Sequence, residues 1–307
     1  MVVGSVNMDL VAYMTAAPAP GETVAGREFR TVPGGKGANQ AIAAARAGAE
    51  VTFVGAVGDD VFADELGRSL TASGCDTSRL RRVPGASGVA HIRVADSGEN
   101  SIVVVPGANA SVRDLDATDT ALLAGQDALL LQLELPVSGV ISAARAAREA
   151  GVATILTPAP VAHLPAELLT SVDLLVPNQH EAAAITGESD PRRAAPALLE
   201  HVPAALITRG TEGALLARRG STTVEVPAAE PPAPVVDTTG AGDVFCAAFA
   251  VAQAERGRDA HAHGEHGENT TAAEALRFAA AAAALCVTRE GASSSLPWRD
   301  EIDRSVV

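Results

Sequence analysis

Over most of its length the chain alternates between two hydrophobic periods, and this constrains the fold more than any single motif. VTFVGAV (51–57), ALLLQLE (128–134), ATILTPA (153–159), DLLVPN (173–178) and AALITRG (204–210) are short, apolar and rich in branched side chains, as strands are. Between them lie ANQAIAAARAG (38–48), DELGRSLTASG (64–74), SGVISAARAAREAG (138–151) and PRRAAPALLEH (191–201), whose alanines and leucines recur with helical spacing. Sustained alternation of this kind predicts an α/β fold, a doubly wound, mostly parallel sheet flanked by helices. In such sheets ligands sit beyond the carboxyl ends of the strands.

Two pieces break the alternation. Residues 11–33 and 85–106 contain GREFRTV, GVAHIRV and NSIVVVP, strand-like runs with no helix between them. They predict a small antiparallel β lid standing off a core made of 1–10, 34–84 and 107–307. The apolar content of the lid calls for cover, and a second copy of the chain meets that need in a homodimer.

Charge and cysteines exclude several classes. A formal net charge of −14 argues against nucleic acid as a partner. The three cysteines are scattered and include no C-x-x-C pair, so neither a disulfide framework nor a structural zinc site is indicated, and a reducing cytoplasm is the simplest setting. The N-terminal MVVGSVNMDLVAYM has no basic lead and carries Asp9 in its apolar run, so it reads as a strand rather than a signal peptide. That strand begins so near Met1 that it is expected to be short. No stretch qualifies as a membrane span, and the alanine-rich 272–287 reads as a buried helix.

The segment DTTGAGD (237–243) is the densest candidate for chemistry. Gly240 and Gly242 let backbone approach a ligand, and a helix starting there aims free N–H groups and its positive dipole end at one point. That makes an anion site. Asp243 in the first turn is either simple dipole complementation or a general base beside a phosphate. In PGGKGANQA (33–41) the pattern is neither a P-loop nor G-x-G-x-x-G, and Asn39 read alone is a helix N-cap. Asn7 and Asp9 alternate onto one face of the first strand, where they can grip sugar hydroxyls, and Glu134 falls at the equivalent edge of another strand. Read singly, each is a polar residue where a strand meets solvent. Asn178 and Glu181 in PNQHE have capping-box spacing, and the same pair can face magnesium-bound phosphates. ITRGTEG (207–213) joins a strand end to a glycine turn that can border a nucleotide. GRDAHAHGEHGE (257–268), with His261, His263 and His266, reads as a solvated loop rather than a metal site. It is expected beyond a helix running from Gly242 to about Arg256, far from the chemistry.

Together GSVNMD, PGETV, GGKGANQA, GDD, QLE, PNQHE, ITRGTEG, DTTGAGD and VTREGASSSLPW resemble, in order and over nearly the whole chain, the ribokinase branch of the pfkB-type carbohydrate kinases. The resemblance implies phosphorylation of ribose at its 5-hydroxyl by ATP. It makes Asp243 the catalytic base and the N–H groups from Thr239 through Gly240, Ala241 and Gly242 an anion hole. It assigns Asn7, Asp9, Gly35, Lys36, Asn39 and Glu134 to the sugar. It places Asn178 and Glu181 near magnesium and the phosphates, and Thr208, Arg209, Gly210, Thr211, Glu212, Gly213 and Gly242 at the nucleotide. Asp237 and Thr239, with Cys286, Arg289, Gly291 and Ser295, resemble a monovalent-cation site of the kind that uses potassium. Ala280 stands where relatives often place a histidine or asparagine near adenine. Other small-sugar kinases acting on 2-deoxyribose, fructose or a nucleoside, and a non-catalytic sugar or nucleotide sensor, are the competing readings.

Overall fold

The computed structural model describes residues 1–263 and 268–306. The first half of the chain gives β1 (Val2–Val3), β2 (Asn7–Met14), β3 (Glu28–Gly34), α1 (Lys36–Arg46), β4 (Val51–Val57), α2 (Ala63–Ala72), β5 (Cys75–Arg82), β6 (Gly88–Ala95), β7 (Asn100–Val105), α3 (Ala117–Leu123), β8 (Ala128–Leu131) and α4 (Val137–Ala150). The second gives β9 (Ala153–Leu156), α5 (Ala166–Leu169), β10 (Leu174–Leu175), α6 (Gln179–Thr186), α7 (Pro191–Leu199), β11 (Ala204–Thr208), β12 (Ala214–Arg218), β13 (Val224–Val226), α8 (Ala241–His263), α9 (Glu268–Cys286) and α10 (Arg299–Ser305).

Nine strands form the larger sheet in the order β13-β12-β11-β10-β9-β8-β1-β4-β5. From β11 to β5 every pairing is parallel, while β12 and β13 add antiparallel at one edge. Successive strand residues enter opposite layers. Val2, Phe53, Leu130 and Ile155 pack with α1, α8 and α9, and Val3, Val54, Leu131 and Leu156 with α4 and α7. Burial on both faces is why these runs are nearly all apolar. The alanines of α8 and α9 let those helices pack closely beneath the sheet.

The smaller sheet has the order β3-β2-β6-β7. Its two outer pairs are antiparallel, as expected, but β2 and β6 run parallel between them. The first strand also divides differently from the expectation. The larger sheet takes only Val2–Val3, the chain turns through Gly4–Val6, and Asn7 and Asp9 belong to β2 of the smaller sheet. β5 was not expected, because CDTSRLRR is polar. It is an edge strand whose Arg79 and Arg81 both pair with the buried Asp119. At the other end, α8 continues to His263, so residues 257–263 are helical where a loop was expected. Residues 264–267, including His266, lie outside the described residues. Among the described residues no helix is long and apolar enough to cross a membrane.

Candidate active site

Glycines bring the parts of the cleft together. Gly35 precedes α1 with φ +93°, a conformation other residues resist, and a Cβ there would stand 2.8 Å from the Asn7 nitrogen. A Cβ on Gly37 would stand 2.5 Å from the Gly4 carbonyl carbon. The GGKG glycines thus seat the start of α1 against the Gly4–Asn7 backbone, at the carboxyl end of β1. Asn39 is not the N-cap of α1. That position is Gly35, and Asn39 lies inside the helix, facing the cleft.

Four carboxyl groups converge there. Asp243, in the first turn of α8, receives Asn39 Nδ2 on Oδ2 at 3.2 Å and Gln40 Nε2 on Oδ1 at 3.1 Å. Glu134 Oε2 accepts from Ser5 Oγ (2.6 Å), the Lys36 backbone N–H (3.1 Å) and Asn7 Nδ2 (3.3 Å). Asn109 fixes Asn7 in turn, donating to its Oδ1 at 2.7 Å. Asp9 is buried beside Gly34, where a Cβ would collide with its carboxylate, and among the described residues no donor bonds it. Glu181 stands within electrostatic reach of Lys36 and Asp243.

Lys36 faces all four, and its pKa is held above the ordinary lysine value, most strongly by Asp243. Burial pushes the Asp243 carboxyl upward, opposed by Lys36 and by the Gln40 and Asn39 amides. Asp9 is pushed up to about 7 by burial, then by Glu134 and Asp243, with Lys36 opposing. Four carboxyl groups thus share one buried lysine. The cleft is prepared for hydroxyl donors on one side.

The other side is a groove of about 520 Å³ running from Thr208, Gly210, Thr211 and Gly213 past Gly242 to Ala280 and Val287. A Cβ on Gly242 would meet nothing, so the space it leaves faces the open groove. Arg209 and Glu212 do not join this lining. The Arg209 guanidinium is buried against Glu225 at 3.0 Å and donates to the Glu212 carbonyl at 3.1 Å, tying the turn to β13. Asn178 and Glu181 form a true capping box on α6. Asn178 Oδ1 accepts from the N–H groups of His180 and Glu181 at 2.9 Å, and Glu181 Oε2 accepts from the Asn178 N–H at 2.8 Å.

The N-terminus of α8 supplies fewer donors than expected. The Thr239 N–H and hydroxyl are both committed to Asp237 Oδ1, at 2.9 and 2.6 Å, and the Ala241 N–H reaches the Thr238 carbonyl at 3.3 Å. Of the expected four, the Gly240 and Gly242 N–H groups are left without a bond among the described residues. Asp237 also receives the Gly291 N–H at 3.0 Å, so it ties the 237–239 turn to the 289–295 turn. Cys286 Sγ lies 3.8 Å from the Thr239 carbonyl and 3.1 Å from Ser295 Oγ. The Arg289 guanidinium turns away to Glu301, leaving only its backbone for this locale. A carboxylate, a hydroxyl and main-chain carbonyls are hard oxygen donors, a set that fits an alkali cation.

Reading by motif missed Gln40, Gln132, Thr157, Ser5 and Asn109, all polar and all buried. Gln40 and Gln132 lie inside quoted motifs, and their signal was an amide in an otherwise apolar run.

A carbohydrate kinase is the class of enzyme that this cleft and sheet define. The model of the pfkB family carbohydrate kinases matches residues 1–299, and the chain belongs to that family. It is 42% identical over 305 residues to the ribokinase of Bacillus subtilis, covering 98% of this chain and 97% of that one. It is 37% identical over 308 residues to the ribokinase of Haemophilus influenzae, covering 98% and 95%. A solved structure of Arabidopsis thaliana ribokinase complexed with ribose and ATP superposes with a TM-score of 0.89 at 34% identity, covering 99% of this chain and 97% of that one.

Proposed function

We propose that this protein is a ribokinase, transferring the γ-phosphoryl group of ATP to the 5-hydroxyl of D-ribose and yielding ribose 5-phosphate and ADP. The observation that carries the reading is the buried Asp243 carboxylate, set in the first turn of α8 between a hydroxyl-seeking cluster and a nucleotide-sized groove. Full-length similarity to ribokinases supports the choice of substrate.

Asp9, Asn7, Asn39 and Glu134 bind the sugar hydroxyls, with Gly35 and Lys36 closing that side. Asn39 Oδ1 is buried without a partner, as an acceptor reserved for a hydroxyl would be. ATP occupies the groove, its base near Ala280 and its phosphates toward Gly242. Asp243 takes the 5-hydroxyl proton as that oxygen bonds the γ-phosphorus. The bond from phosphorus to the oxygen bridging the β-phosphate breaks, and ADP leaves. The dipole end of α8 and Lys36 stabilise the charge that develops. Glu181 and Asn178 are suited to hold magnesium and its waters beside the phosphates, where the ion supplies charge neutralisation. The oxygen donors around Asp237 and Ser295 would hold potassium, which supplies fixed positive charge behind the anion hole.

The smaller sheet acts as the lid that excludes water on closure. Phe29 and Ile102 through Val105 on its outer strands are 40–62% exposed, and a second copy of the chain covers them in a homodimer. Three free, buried thiols and the use of ATP support a cytoplasmic setting. ADP release with ribose, 2-deoxyribose, fructose and adenosine tests the reading. Ribose should give the highest kcat/KM, and a better rate with any other acceptor overturns the assignment.

A further inference from the structure

Behind Asp243 lies a chain of buried polar groups that the reaction does not call on directly. Gln40 on α1 donates from Nε2 to Asp243 Oδ1 at 3.1 Å and to Thr157 Oγ1 at 3.2 Å. Gln132, just past β8, donates from Nε2 to Gln40 Oε1 at 2.6 Å. Thr157, just past β9, donates onward to Cys246 Sγ at 3.4 Å. Gln40 is 0% and Gln132 1% exposed, so water does not compete for these bonds.

The direction of the chain is fixed by its end. An ionised carboxylate only accepts, so the Gln40 atom facing it must be nitrogen. Thr157 spends its single proton on Cys246 and must likewise accept from Gln40. Gln40 Oε1 therefore faces Gln132, and the Gln132 atom at that contact must be nitrogen. This leaves Gln132 Oε1 at the far end, buried without a partner against Gly4, where a Cβ would come within 2.3 Å. An unpartnered buried oxygen is costly, and it is tolerated where a donor is needed at the other end of the relay.

We propose that Gln40, oriented from behind by Gln132, is a positioning residue that keeps Asp243 ionised and aimed at the sugar hydroxyl. This rests on Asp243 being the base. The amide holds Oδ1 while Asn39 holds Oδ2, which fixes the carboxylate plane and leaves its remaining lone pairs for the substrate. Burial works against the charged form, so each lost donor makes the base harder to ionise. The other titratable groups facing Asp243 are Lys36, Asp9, Glu134, Glu181, Cys246 and Cys286, and none is altered by removing the relay.

The test uses the full chain with the near-isosteric Gln40→Met and Gln132→Met, singly and together, with Asp243→Asn as control. Gln40→Met should lower kcat roughly 10- to 100-fold, the range for a hydrogen bond to a charged group. KM for ribose and ATP should stay within about threefold, and the acidic limb of the kcat–pH profile should move to higher pH. Gln132→Met should shift both in the same direction by less, and should add little on top of Gln40→Met. A purely structural role would lower the melting temperature while leaving the pH limb in place, and that result overturns the proposal. Full additivity of the two variants overturns it as well. If Gln40→Met does not fold, Gln132→Met alone decides, and an unmoved limb refutes the relay. Turnover retained in Asp243→Asn removes the base itself. Turnover lost there but untouched in Gln40→Met removes only the relay.

Discussion

The two sides of the cleft are made of different materials. On the side proposed for the sugar, Ser5, Asn7, Asp9, Asn39, Asn109, Glu134 and Asp243 are brought together from several elements and turns, and most of them bond one another in the interior. On the side proposed for the nucleotide the lining is mostly glycine, alanine, threonine and valine, with Phe245, Pro231 and a single charged residue, Glu230. Arg209, on the turn beside that lining, is buried against Glu225 instead of reaching in. A side built of charge and directed hydrogen bonds should fail sharply when a single atom is changed. A side built of small residues and main chain should fail only when space is filled.

Asp9→Asn should break the first side sharply. It removes a carboxylate that no donor bonds among the described residues, and kcat/KM for ribose should fall roughly 10- to 100-fold while KM for ATP holds. Steady-state kinetics with each substrate varied will check this. Filling the groove with Ala280→Leu should do the reverse. Overpacking costs about 1–3 kcal/mol, which corresponds to a KM for ATP raised on the order of tenfold with ribose binding unchanged.

Asp9→Asn should also separate function from stability. A carboxyl whose folded pKa is about 7 against an ordinary 3.8 binds its proton more tightly when folded. Its contribution to stability therefore falls as pH rises from about 4 to about 7 and stays low above that. The variant should melt higher than the parent at pH 8, with the gain vanishing near pH 4. Thermal melts at the two pH values read it directly, and an equal shift at both would contradict the charge cluster. The smallest effect is expected from Asn178→Ala. Losing that cap costs ~1 kcal/mol, or roughly 2–4 °C of melting temperature, with only a modest change in KM for ATP.

Much of this was legible because the informative residues are sequence neighbours. The apolar runs at 51–57 and 204–208 became β4 and β11 because strands buried on both faces cannot hide among polar residues. DTTGAGD announced a helix start, since a positive-φ glycine and a first-turn acid are local features. What escaped is decided by partners far along the chain. β5 is polar because Asp119 lies across from its arginines. Asn39 looked like a cap and instead reaches 204 residues along the chain to Asp243. Gln40 and Gln132 showed only as amides in apolar runs, because a buried amide acquires a role only from what stands 3 Å away. The break after Val3, which moves Asn7 and Asp9 into the smaller sheet, has no signature beyond Gly4.

The central claim is that one buried carboxylate at the head of α8 takes the proton from the sugar. Asp243→Asn keeps the shape and removes the base, so the direct measurement is ribose affinity and single-turnover phosphoryl transfer in that variant. Ribose should bind with an affinity within a few-fold of the parent, and transfer should slow by about 10²–10⁴. Transfer at the parental rate would contradict the account.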